Sequence, residues 1–278
     1  MPQSKGILSR VYTALILLFL YAPLLVMVLF SFNSGHSTAV FEGFTLHWYQ
    51  ELARNLDAQK VLKNTMLLAF AAAVVSVVLG TLAATGIDRV RRKWAKGLLL
   101  SVTNLPLMNP EIVTGVSMML LFVFAQQLLN RFFGLEVRTL LGFGSLLAAH
   151  ITFCLPYVIL SVLPKLRQTD PHLAEAAQDL GCSPVLAFFK VVLPSISTGV
   201  FSAFLMAFTI SLDDFVVSNF TSGSEFQTLP LYIYAMTKRK VRPDMYSLSS
   251  LVFFAIFALL ILSNVLQARA EKRAAKQK

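Results

Sequence analysis

The sequence predicts an all-α membrane protein with about six transmembrane helices, and three observations carry that prediction. Hydrophobic residues make up 56% of its 278 residues and charged ones only 14%, with a mean hydropathy of +0.68, a balance suited to lipid rather than water as solvent. The apolar residues fall into runs, each about as long as the 20 residues a helix needs to cross hydrocarbon. Lys and Arg gather at the ends of these runs. Helices are predicted rather than strands because a helix satisfies its own backbone hydrogen bonds where no water can.

The first run, Val11–Phe32, is longer than the apolar core of a secretory signal, and no small-residue cleavage site follows it at once. It reads as an uncleaved helix behind a short cytoplasmic N-terminus, residues 1–10. Trp48 and Tyr49 in the loop after it have the amphipathic rings that anchor at a membrane interface. Thr65–Gly86 is the second span. The third run, Leu98–Leu129, would measure about 48 Å as one straight helix against a hydrocarbon core of about 30 Å, and Pro106 and Pro110 predict a break in it. Glu111, directly after that break, has two readings. It lies at a helix terminus at depth that lines a cavity, or it begins a helix at the surface, where the positive dipole end favours a carboxylate. The fourth run, Leu140–Pro164, carries His150, read as an interhelical hydrogen bonder. Thr198–Phe220 carries Asp213 and Asp214, and Ser247–Gln267 is the last span before a basic tail, residues 269–278.

Counting Lys and Arg places the N-terminus inside. In that orientation fifteen of the 24 lie on the cytoplasmic side, the cluster Arg89–Lys96 foremost. Lys238, Arg239, Lys240 and Arg242 oppose the rule from the outer side and read as a solvated charge run. The net charge of +10 does not point to nucleic acid, because the positive residues sit at span ends, where they meet anionic membrane lipid. Cys154 falls in a span and Cys182 in a loop, so neither a disulfide nor a metal site is expected. No GxxxxGK loop followed by Ser or Thr, no HExxH, no GxSxG and no glycine-rich dinucleotide motif occurs. Catalytic residues, metal ligands and a nucleotide site are therefore not expected in this chain.

Between the fourth and fifth runs lies a polar interruption, Asp170–Pro194. Asp170 as cap, Pro171 in the first turn and Gly181 at the end specify a short helix. Leu173, Ala176, Ala177 and Leu180 fall at i, i+3, i+4 and i+7 and predict one shallow apolar stripe. Ser183 and Pro184 repeat the start signal for a second helix containing Phe188, Phe189, Val191 and Val192. On the inside orientation this helix–glycine–helix unit is cytoplasmic.

Its residues run Glu175-Ala176-Ala177, three residues, Gly181, nine residues, Val191, one residue, Leu193-Pro194. This resembles the EAA loop of binding-protein-dependent ABC importer permeases, with Val191 where Ile is commoner. Pro110-Glu111-Ile112-Val113, the stretch from His150 to Pro156, that from Ser211 to Ser218 and that from Leu229 to Tyr234 extend the likeness, most closely to the second permease subunit of spermidine/putrescine importers. The resemblance implies a type I ABC importer permease-like fold, with residues 11–268 as one transmembrane domain and 165–197 as a coupling loop carrying a cytoplasmic coupling helix. Leu173, Glu175, Ala176, Ala177 and Gly181 would couple to the ATPase. It implies as partners an ABC ATPase in two copies, a second permease subunit that is a different chain, and an extracytoplasmic solute-binding protein. ATP-Mg would sit in the ATPase, with no cofactor in this chain. The setting would be a bacterial inner membrane, with both termini cytoplasmic.

Glu111, Asp213 and Asp214 are the ionisable groups well inside apolar runs. Such residues cost about 2.5 to 3.5 kcal/mol even on a lenient insertion scale, so they face a cavity or a partner. Three acids without Lys or Arg suit a cationic cargo and form the expected substrate path. Adjacent aspartates on a helix point about 100° apart, so one is expected to line the path while the other pairs with a polar group on a neighbour. Polyamine import is thus the first reading. An ABC permease for another small solute, such as an aminophosphonate, is an alternative, and an ion-coupled secondary transporter is another, though it leaves the loop unexplained and lacks an internal repeat. An intramembrane aspartyl protease does not fit, since its two carboxyls must converge on one water.

Overall fold

A computed structural model describes residues 7–35, 40–134, 139–224, 226–238 and 243–276. Their regular structure is helical: α1 (Ile7–Phe30), α2 (His47–Arg54), α3 (Leu56–Arg89), α4 (Lys93–Met108), α5 (Glu111–Phe133), α6 (Phe143–Gln168), α7 (Leu173–Asp179), α8 (Pro184–Ser195, with a π-helical turn at Phe188–Val192), α9 (Ser197–Asp213), α10 (Val216–Thr221), α11 (Leu229–Thr237) and α12 (Pro243–Lys276). Among the described residues the only strand-like pairing is an isolated antiparallel bridge between Asn33 and Phe44. The all-α membrane class is therefore what the chain adopts. α1, α3, α5, α6 and α12 are long and apolar enough to cross a membrane, and α8 with α9, bent by 74°, makes a sixth candidate.

Two of the predicted runs are broken. The third divides at Asn109 and Pro110, both extended, so that α4 ends at Met108 and α5 starts afresh at Glu111. This is the break the prolines predict. The fifth run is not one helix, as Thr198–Phe220 had suggested: α9 stops at Asp213 and α10 begins at Val216. Asp214 sits at the interruption. Its carboxylate accepts the N–H groups of Val217 (3.3 Å) and Ser218 (2.8 Å), donors that a continuous helix would have given to backbone carbonyls.

The packing divides the chain into two compact units. The larger, residues 61–232 and 259–278, is organised around α6, which contacts α4, α5, α9 and α10. Its core joins Ala73, Val77, Ala84 and Ile87 of α3, Cys154, Val158, Ile159, Val162 and Leu163 of α6, and Ala203 and Ala207 of α9. The alanines matter because helices in lipid gain from close backbone approach, not from water exclusion.

The smaller unit comprises residues 1–60 and 233–258. Here the sequence reading of Trp48 is corrected. It is buried, and its indole N–H donates to the Asn33 carbonyl at 2.7 Å, so it is a pin under the loop and not an interface anchor. Tyr49 shares a 2.7 Å hydrogen bond with Ser31 and lies against the Phe32 ring. Asn33 completes the loop, donating to the Val40 carbonyl and accepting from Glu42 N–H, both at 2.8 Å. Trp48→Ala, which empties a buried aromatic site at a cost of about 3 to 5 kcal/mol, is expected to open residues 40–46 to limited proteolysis. An unchanged cleavage pattern would return Trp48 to the interface.

Candidate functional site: a broken helix with its acids and a helix–glycine–helix loop

The α9–α10 break is a buried polar cluster. His150 on α6 places Nδ1 at 2.7 Å from Ser211 Oγ, on the last turn of α9, and Nε2 at 3.0 Å from Ser218 Oγ, on α10. The same Nε2 is 3.4 Å from Asp214 Oδ2. Asp214 is only 9% exposed and His150 2%. Its oxygens are engaged by two backbone donors and the ring, so Asp214 is turned into the protein. Four residues below His150 on the same helix face, Cys154 approaches the Ala207 carbonyl at 3.5 Å, which registers α6 against α9. The interhelical role read for His150 thus has a concrete form.

Asp213 has the opposite environment. It is exposed, at the C-terminal end of α9. Glu111 is also exposed, in the first turn of α5. A close contact seats α5 there: a Cβ on Gly115 would come within 2.7 Å of the Phe220 ring of α10, so a larger residue would have to push that ring aside. Beside the start of α5 a cleft of about 250 Å³ is lined by Pro106, Asn109, Val113, Thr114, Thr152 and Phe153, among others. Phe153 and Tyr157 meet edge to face at 5.8 Å between centroids.

The loop between α6 and α9 forms the second part of the site. Asp170 Oδ1 accepts the His172 N–H at 2.9 Å, capping the chain entry, while the regular helix α7 starts only at Leu173. At the far end Gly181 has φ +90°. The Gly181 N–H bonds to the Gln178 carbonyl (2.9 Å) and the Cys182 N–H to that of Ala177 (3.1 Å), the paired pattern of a Schellman end. The predicted stripe is divided. Ala177 is buried and Leu173 half-buried, but Ala176 is exposed and Leu180 is 87% exposed. The reason is α8, which packs on one side of α7, so only residues on that side are covered. Leu180, Val185, Leu186 and Phe189 are left as exposed apolar side chains on a loop that also bears exposed Glu175.

Both roots of the loop are tied. A Cβ on Gly199, at the start of α9, would come within 2.6 Å of the Lys165 stem at the end of α6. Asp88 at the end of α3 receives Lys96 of α4 (3.2 Å) and Arg167 of α6 (3.6 Å). On the loop itself His172 Nδ1 lies 2.9 Å from Glu175 Oε2. This hydrogen bond, the Glu175 charge and then the Asp170 charge raise the His172 pKa above its ordinary value. A raised value means that the contact contributes fully below the ordinary histidine range and is lost as pH rises through the raised one. Glu175→Gln is accordingly expected to bring His172 titration, followed by NMR, back toward the ordinary range; an unmoved titration would show that the pair does not form in solution.

Sequence reasoning missed Tyr157, Ser211, Ser218 and Asp88 as members of these clusters. Ser211 and Ser218 carried a faint signal, flanking the aspartates at a spacing that faces one neighbour across a break. Tyr157 and Asp88 carried none. Cys154 is buried and Cys182 half-buried, both as free thiols. Among the described residues no group of three or more His, Cys, Asp or Glu is placed to hold a metal ion. Of the Lys238–Arg242 cluster only Lys238, whose ammonium lies 4.6 Å from the Tyr234 ring centroid, falls within the described residues.

Residues 76–276 match the family described as binding-protein-dependent transport system inner membrane component. The chain is 36% identical over 256 residues to the putrescine transport system permease protein PotI of Escherichia coli K12, covering 92% of this chain and 89% of that one. It is 35% identical over 267 residues to the spermidine/putrescine transport system permease protein PotC of Haemophilus influenzae, covering 95% and 98%. Among solved structures, the fold is similar to a bacterial ABC transporter involved in import of the acidic polysaccharide alginate (TM-score 0.72, 16% identity, 94% of each chain). It is also similar to inward-facing methionine ABC transporter structures (TM-score 0.58, 14% identity, 81% and 99%).

Proposed function

This chain belongs to the binding-protein-dependent transport system inner membrane components, and from that premise we propose that it is the polyamine-conducting permease subunit of an ATP-driven importer. The observation that carries the cargo is the identity with putrescine and spermidine/putrescine permeases along more than nine-tenths of the chain. The alginate transporter, at 16% identity, bears on the fold alone. The chemistry agrees: a polyamine is a row of ammonium groups on an apolar chain, and exposed Glu111 and Asp213 offer carboxylates, while an apolar cleft beside the start of α5, with Phe153 against Tyr157, offers an aromatic wall. Asp213 and Glu111 are the transient cation sites in this reading, and Asp214 serves the path by holding its geometry. Weak sites suit the task, because a tightly held cargo would not leave.

The energy comes from ATP-Mg in a separate ATPase, present in two copies. Helix α7 and the exposed Leu180, Val185 and Phe189 seat in that subunit, and Leu173, Glu175, Ala176, Ala177 and Gly181 form the transmission. Because both loop roots are tied to α3, α4, α6 and α9, movement at the loop reaches the path as a displacement of helices. A second permease subunit, a different chain, completes the pathway, and an extracytoplasmic binding protein delivers the cargo. The loop and both termini lie on the cytoplasmic side of the bacterial inner membrane, by the excess of Lys and Arg there.

The test is uptake of labelled putrescine and spermidine into proteoliposomes holding the assembled complex with its binding protein. Uptake that needs ATP supports the reading. Uptake by this chain on an ion gradient without the ATPase, or ATP-dependent uptake of another solute such as an aminophosphonate in place of polyamines, would replace it.

A further inference from the structure

We propose that His150 is a positioning residue for transport: by bridging both sides of the α9–α10 break it holds the backbone state that presents Asp213 to the cargo. This rests on the reading of Asp213 as part of the path. One imidazole touches three residues that straddle the interruption, Ser211 before it, Asp214 at it and Ser218 after it, at 2.7, 3.4 and 3.0 Å. All four side chains are at least nine-tenths buried.

The break competes with an alternative. If α9 ran on into α10, the N–H groups of Val217 and Ser218 would bond to the carbonyls of Asp213 and Asp214, as the i to i−4 pattern of a helix requires. In the observed state the Asp214 carboxylate takes both donors instead. A carboxylate can do this in an apolar interior only if its charge has partners. His150 is the side chain that supplies one, while its other edge fixes Ser211 and thereby the last turn of α9. Removing the ring weakens the capped break relative to the continuous helix. In the continuous form Asp213 keeps its helical place at the end of α9, but α10 swings, and with it the start of α5 seated on it through Gly115, so the surroundings in which Asp213 meets the cargo are lost.

A bias on a two-state element has a kinetic signature. When the competent state is only partly populated, apparent affinity falls by that fraction and saturating cargo restores the rate. In the assembled complex, His150→Ala is therefore expected to raise KM for polyamine uptake about tenfold, the effect of losing roughly one buried charge-assisted hydrogen bond, with kcat little changed. His150→Gln, which still offers a donor and an acceptor, is expected to recover part of the loss. In an Asp213→Asn background His150→Ala is expected to add nothing, since both act on one carboxylate. Copurification with the ATPase reports that each variant is assembled.

An unchanged KM in His150→Ala, a fall in kcat alone without rescue by Gln, or full additivity with Asp213→Asn would overturn the inference while leaving the path reading intact. An unchanged KM in Asp213→Asn itself would sink the path reading, and the inference with it.

Discussion

Gly181→Val is expected to abolish ATP-coupled uptake while the protein still inserts in the membrane. The expectation follows from backbone conformation and not from crowding: a Cβ at Gly181 meets nothing within 4 Å, but φ is +90°. A left-handed residue with a Cβ costs roughly 1 to 2 kcal/mol, and a β-branched one is a true outlier there. Relief of that strain unties the two hydrogen bonds that end α7 and turns Leu180 and Val185 away from their present directions. The membrane helices have no share in this strain, so insertion is spared. A graded series checks the cause. Asn, which tolerates the left-handed region, is expected to retain part of the uptake, Ala less and Val none, with copurified ATPase falling in parallel. Normal uptake in Gly181→Val would remove the loop from the coupling path.

Asp213→Asn and Asp214→Asn are expected to separate cargo handling from stability. At position 214 the amide keeps one acceptor oxygen but turns an NH₂ toward donors that the carboxylate now satisfies. Leaving a buried donor unpaired costs about 1 to 3 kcal/mol, more where a charge was involved, and the His150 contact loses its charge as well. Asp214→Asn should therefore lower the thermal midpoint of the purified protein and reduce uptake through lost folded protein. Asp213 is exposed, so its amide variant should melt normally and yet take up polyamine with a raised KM. Equal melting of the two variants with equal uptake would return both acids to ordinary helix contacts.

Much of this was legible without coordinates. Most of the spans, the proline break before Glu111 and the glycine stop after α7 each depend on neighbouring residues alone. The division of the α7 stripe and the burial of Trp48 were not legible, because each is set by an element distant in sequence or by a loop closing over it. The interruption at Asp214 stood between these cases. An aspartate in an apolar run announces a special site, but the His150 ring that meets it there comes from α6, a distant part of the chain.

By itself the sequence determined the solvent, the number of apolar runs, the loop motif and the family, because hydropathy, helix capping and residue spacing act over one or a few turns. Only the tertiary structure decided which acid is exposed and which is locked, and which side of α7 stays open. Those outcomes turn on contacts between helices α6, α9 and α10 and between α7 and α8, and a contact between helices is fixed by packing geometry that no local pattern encodes.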